Sequence, residues 1–131
     1  MNKLIFLILC SAAVITIAEN LSWYPDNDEE IIKKCMNDSN YTPGLSLINS
    51  PELHAFYLCS AKGLNIYSEE LGLNIERLSY TFFPSTYKMD CKKTLVQNCA
   101  EENKDLTSKG ELIFKVAKCI SNRKNEHDDN C

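Results

Sequence analysis

Cysteine is the residue type with the most chemistry to offer in this 131-residue chain, which holds seven. Cys10 sits at the end of an unbroken apolar run, Leu4 to Cys10, and the other six, Cys35, Cys59, Cys91, Cys99, Cys119 and Cys131, are spread along the more polar remainder. Thiols bridge, hold zinc or attack as nucleophiles. Zinc calls for closely spaced ligands, yet there is no Cys-x-x-Cys pair, and neither histidine, His54 or His127, stands at ligand spacing from a cysteine pair. Nucleophilic catalysis calls for an activating base, and no Gly-x-Ser-x-Gly elbow is present. Six cysteines in an oxidising compartment therefore read as three disulfides, and the chain reads as a non-enzyme without metal or cofactor.

The remaining titratable groups have plain accounts. His54 has the titration range of a pH switch on ligand release, but a surface or partly buried helical histidine is the simpler reading. The pairs Glu29-Glu30, Glu69-Glu70 and Glu101-Glu102 suggest acid–base work by type. Each lies in polar surroundings near a helix end, where solvation and the helix dipole explain it. The run His127-Asp-Asp reads as a solvated tail. Three glycosylation sequons occur, at Asn20, Asn37 and Asn40.

The elements that position these groups follow from the pattern of the chain. Lys3, the apolar run and Thr16-Ile17-Ala18 make a secretory signal cleaved after Ala18. The apolar stretch Leu4 to Ala18 falls short of the ~20 residues that span a bilayer, so no membrane anchor is expected. Cleavage leaves residues 19–131 as one extracellular domain of 113 residues with six cysteines. The whole chain carries net charge −4, and losing Lys3 makes it −5, which argues against nucleic acid and anionic membranes as partners.

Helices are expected over Glu29–Met36, from a Ser50 cap and Pro51 to Gly63, from an Asn74 cap over Ile75–Phe83, over Ser85–Asn103, and from the Ser108-Lys-Gly-Glu111 capping box through Ile120. Asn37–Asn49 and Leu64–Leu73 read as connectors, and Ser121–Cys131 as a loose polar tail. Strand signals are nearly absent, so the fold class is all-α. Cys91 and Cys99 lie about 12 Å apart if one helix carries both, too far for the ~7 Å limit between bridged Cα atoms. That reduces 15 pairings to 12.

The cysteine-bearing segments resemble a known pattern. Ala55-Phe-Tyr-Leu-Cys59 is similar to the second-to-third cysteine segment of insect odorant-binding proteins, with Ala55 at the second cysteine. Gly110-Glu-Leu-Ile-Phe-Lys-Val-Ala-Lys-Cys119 is similar to the fifth-to-sixth segment, with Gly110 at the fifth. In that superfamily those two cysteines bond each other, so their joint absence is the minus-C variant. Within it, Cys59-Ser-Ala-Lys, Ile66-Tyr67, Met89-Asp-Cys91-Lys-Lys and Glu30-Ile-Ile-Lys-Lys-Cys35 most resemble the ant venom allergen 2 and 4 family. This chain lacks a cysteine associated with dimerisation there and has Cys131 in addition.

The resemblance implies a bundle of five to six helices around an internal apolar cavity, with bridges Cys35–Cys59 and Cys99–Cys119. Cys91 and Cys131 have no counterpart in the six-cysteine pattern. They either bridge each other or bond a second protomer, so a homodimer stays open. The implied function is a secreted carrier of a small hydrophobic ligand such as a pheromone, fatty acid or alkaloid, in a venom or allergen setting. Phe56, Leu64, Tyr67, Leu78, Phe82, Leu95, Ile113, Phe114 and Val116 are the candidate lining, although for any single one of them core packing is the favoured reading. Two rivals follow. One is a scavenger of host biogenic amines or lipids like the short D7 salivary proteins, and the other a venom protein that carries nothing.

Overall fold

Capping and local breakers set where the helices begin and end. The computed structural model describes residues 22–42, 49–84 and 87–127. Among them five helices form: α1 Asp28–Asp38, α2 Pro51–Gly63, α3 Ile75–Phe82, α4 Met89–Glu102 and α5 Lys109–His127. The expected signal peptide, residues 1–18, lies outside the described residues, as do Asn20, Ser85 and Cys131.

Three helix starts follow the side chains that cap them. Ser50 Oγ accepts from Leu53 N at 3.2 Å and Pro51 fills the first turn of α2. Asn74 Oδ1 accepts from Arg77 N at 3.0 Å to open α3, which stops short of Pro84. Ser108 Oγ accepts from Glu111 N at 3.4 Å at the head of α5. Each such cap contributes ~1 kcal/mol. Asp28, Glu29 and Glu30 in the first turn of α1 meet the positive end of its dipole.

Three expectations need correction. The fourth helix starts at Met89, not Ser85, because Lys88 is left-handed (φ 50°) and a right-handed helix cannot pass through it. Tyr87 accordingly lies before the helix, 68% exposed. The fifth helix does not stop at Ile120. No Gly or Pro interrupts Glu111 to His127, and Arg123 Nη2 reaches both Glu102 carboxylate oxygens at 2.6 and 2.7 Å while Lys124 Nζ donates to the Phe82 carbonyl at 2.9 Å.

The third correction concerns Leu64–Leu73, which folds into a short antiparallel hairpin, β1 Tyr67–Ser68 with β2 Gly72–Leu73, pairing Tyr67 with Leu73. Two residues per strand leave the fold all-α. α2 ends at Gly63 as expected, and the left-handed turn that follows falls on Asn65 (φ 62°). Ile66 N donates to Ala61 O and Asn65 N to Lys62 O, a Schellman closure. Asn40 (φ 55°) ends α1 the same way, with Tyr41 N on Met36 O and Asn40 N on Asn37 O.

The helices pack in the spatial order α1, α2, α5, α4, α3, with α2 and α5 sharing the most extensive contact. Two disulfides staple neighbours. Cys35–Cys59 joins α1 to α2 with Cα atoms 5.6 Å apart, and Cys99–Cys119 joins α4 to α5 at 5.8 Å. Each closes a loop worth ~3 kcal/mol by chain entropy. Cys91, on the same helix as Cys99, is also disulfide-bonded. Leu53, Val96, Val116 and Ile120 are almost fully buried between the helices. Among the described residues no helix is long and apolar enough to cross a membrane.

Candidate ligand cavity

Four of the five helices leave a gap where their inward faces do not meet. α1 supplies Ile32, α2 supplies Phe56, Tyr57, Ser60 and Ala61, and α5 supplies Ile113 and Ala117. Leu78, Thr81 and Phe82 of α3 close one side, with Leu64, Ile66 and Leu73 from the turn and hairpin. The cavity they line is partly open to solvent and measures about 210 Å³.

The spacing of these residues is helical. Phe56, Tyr57, Ser60 and Ala61 form an i, i+1, i+4, i+5 stripe, and Ile113 and Ala117 lie one turn apart. Small side chains sit where larger ones would fill the space, namely Ser60, Ala61 and Ala117. Aromatic contacts hold one wall: Tyr41 stacks on Phe56 at 4.4 Å, and Tyr57 meets Phe114 edge-on at 5.5 Å.

Five of the nine residues singled out in the sequence line this cavity: Phe56, Leu64, Leu78, Phe82 and Ile113. The other four do not. Val116 is in the packed core, Phe114 lies behind Tyr57, and Leu95 packs against the core from α4. Tyr67 is buried too, but faces a separate groove at the hairpin, and its hydroxyl lies 3.4 Å from Glu69 Oε2. Sequence reasoning missed Ile32, Tyr57, Ser60, Ala61, Ile66, Leu73, Thr81 and Ala117. Small residues on inward helical faces are the signal for Ser60, Ala61 and Ala117.

The lining carries no charged side chain among the described residues, neither the carboxylate an ammonium ligand needs nor a cation for a fatty-acid carboxylate. Burial pushes the Tyr57 phenol above its ordinary value, so it too stays neutral at physiological pH. Thr81 Oγ1 donates to Arg77 O at 2.9 Å. His54 sits outside the cavity, its ring hydrogen-bonded to Asn49 and tilted against Phe114. Three of the paired glutamates have partners outside the cavity: Glu69 bonds Lys62 at 2.5 Å, which holds its carboxyl below the usual range, while Glu101 pairs with Lys104 and Glu102 with Arg123.

The described residues form a disulfide-stapled all-α bundle whose helices line an uncharged apolar cavity. The model of the PBP/GOBP family, within the insect odorant- and pheromone-binding superfamily, matches residues 23–123, and the chain belongs to that family. No curated protein and no solved structure matches the chain.

Proposed function

We propose that the protein is a secreted carrier of a small hydrophobic ligand, held in the cavity between α1, α2, α3 and α5. The observation that carries the reading is the composition of that cavity, about 210 Å³ walled by apolar side chains and three hydroxyl-bearing residues, Tyr57, Ser60 and Thr81. Displacement of a fluorescent naphthylamine probe by a panel of apolar compounds tests it. Displacement at micromolar concentration is expected, and a protein that neither lights the probe nor binds any panel member is no carrier.

Secretion rests on the signal pattern of residues 1–18 and on disulfides suited to an oxidising compartment. Expression in insect cells with intact-mass analysis of the medium is expected to return a chain beginning at Glu19. The same non-reducing digest tests the proposed Cys91–Cys131 bridge against a disulfide-linked dimer. A venom-gland setting rests on the short motifs around Cys35, Cys59 and Cys91. Their likeness to ant venom allergens would be answered by proteomics of the gland.

A further inference from the structure

The groove at the hairpin has a chemistry that the cavity lacks, although Ile66 and Leu73 line both and form their common wall. It measures about 290 Å³, and its lining mixes Asn65, Ser68, Asn74 and Arg77 with Leu71 and Leu73. Arg77 is held in place there. Its Nη1 donates to Asn65 O at 2.8 Å, its guanidinium lies 5.3 Å over the Trp23 ring, and its backbone N donates to Asn74 Oδ1 at 3.0 Å. None of these contacts neutralises the charge. Arg123, the other arginine, sits on both carboxylate oxygens of Glu102, whereas among the described residues no carboxylate pairs with Arg77. The acids closest in sequence are engaged elsewhere, Glu76 with Lys93 and Glu69 with Lys62, and no acidic side chain lines the groove. A chain with 18 acidic and 14 basic residues thus leaves an oriented guanidinium without a counter-ion.

We infer that this groove is a second binding site, distinct from the cavity, for a small amphiphilic carboxylate whose head pairs with Arg77. A guanidinium meets a carboxylate with two parallel N–H bonds, and one that its neighbours already orient gives up little freedom on binding. With Nη1 engaged by Asn65, Nε and Nη2 are the donors left for an anion. Asn74 spends its Oδ1 on Arg77 N, which leaves its Nδ2 as a further donor. The Ser68 oxygen accepts from Leu71 N at 3.1 Å, and its proton stays available. The other end of the ligand follows from the apolar share of the lining. Leu71 is 89% exposed, and with Leu73 it offers a short aliphatic tail a surface to cover. The groove holds the space of about ten waters at ~30 Å³ each, which suits a branched acid of on the order of ten non-hydrogen atoms. An ammonium would meet the guanidinium as a like charge, and a neutral amide would forgo the ion pair.

Titration of the mature protein with 4-methylpentanoate, its neutral amide and 3-methylbutylammonium tests the site. Two signals report on it: the emission of Trp23, the chain's single tryptophan, and the Arg77 Nε–H resonance. The carboxylate alone is expected to saturate both, at about millimolar concentration. Arg77→Met should weaken it about tenfold, and Arg77→Lys, which keeps the charge but not the fork, about threefold. Leu71→Ser, at a position too exposed to bear on folding, should weaken 4-methylpentanoate and leave acetate unchanged. The amide binding as well as the acid, no response of either signal to the acid, or full affinity for the acid in a folded Arg77→Met overturns the inference. That last result would place the acid in the apolar cavity or elsewhere. Should Arg77→Met fail to fold, the acid-to-amide ratio and Leu71→Ser decide the matter. None of these outcomes bears on the carrier reading, which the groove does not require.

Discussion

Gly110 and Gly63 each lie at a close helix contact, but their neighbours differ, and that decides what a methyl group would do. A Cβ on Gly110 would stand 2.4 Å from the carbonyl oxygen of His54 and 2.8 Å from its carbon, both main chain. α5 therefore crosses α2 closely at the position where the superfamily pattern has a bridging cysteine. Gly110→Ala is expected to cost ~1–3 kcal/mol, more than the ≲1 kcal/mol of helix propensity it gains, because backbone cannot step aside. Urea unfolding measures this. A Cβ on Gly63 would instead meet Ile31 Cγ2 at 2.4 Å, the branch of a side chain. Gly63→Ala should also destabilise, but Ile31→Leu, which moves that branch away, should restore most of the loss in a double-mutant cycle.

At the level of the elements, polar side chains and left-handed residues fix boundaries that hydrophobic periodicity leaves vague. Asn65 turns the chain out of α2 and its Nδ2 donates to Trp23 O at 3.0 Å, while its own carbonyl accepts from Arg77 Nη1 at 2.8 Å. Arg77 in turn lies 5.3 Å over the Trp23 ring, so the segment before α1 is docked through one asparagine and one arginine. Asn65→Ala is expected to lose ~1–2 kcal/mol, since alanine resists the left-handed region and drops the bond to Trp23. Asn65→Gly should recover the conformational share alone. Equal losses in the two variants, read from denaturant midpoints, would show that backbone conformation contributes nothing. Asn40, which ends α1 in the same way, is also a sequon asparagine and is exposed, whereas the Ser39 hydroxyl of the Asn37 sequon is bonded to Cys35 O.

For the whole molecule, the phenols predict how stability depends on pH. Burial, the largest cause in each case, pushes Tyr24, Tyr57 and Tyr67 above their ordinary value of 10, with added push from Asp28 on Tyr24, Tyr41 on Tyr57 and Glu69 on Tyr67. The folded state holds these protons more tightly than the unfolded chain does. Their contribution is therefore complete below about pH 10 and is lost as pH rises through the folded-state values. Melting temperature should be flat from pH 7 to 9 and fall above 10, with a shallower fall in Tyr57→Phe. Acid acts on Glu69 in the opposite sense: Lys62 lowers its pKa, so that contribution is present at neutral pH and disappears as pH drops through the folded value.

Much of the architecture was legible because it is local. Ser50-Pro51, Asn74 before Ile75, and Ser108 with Glu111 open helices through bonds spanning three residues, and the minus-C likeness placed Cys35–Cys59 and Cys99–Cys119. Polarity does not mark the end of α5, because the groups that tie its last turns down, Glu102 and the Phe82 carbonyl, are distant in sequence. The cavity was legible only in part. Periodicity tells which face of a helix points inward, and so found Phe56, Leu78, Phe82 and Ile113. It cannot tell whether opposing faces touch. That depends on how far apart the helices stand, which the two bridges, the Gly110 and Gly63 contacts and the hairpin set together. By itself the sequence determined an all-α, cysteine-stapled chain with capped helices. Only the tertiary structure decided that Val116, Phe114 and Leu95 pack outside the cavity, while Ser60, Ala61 and Ala117 are too small to close the space between α2 and α5.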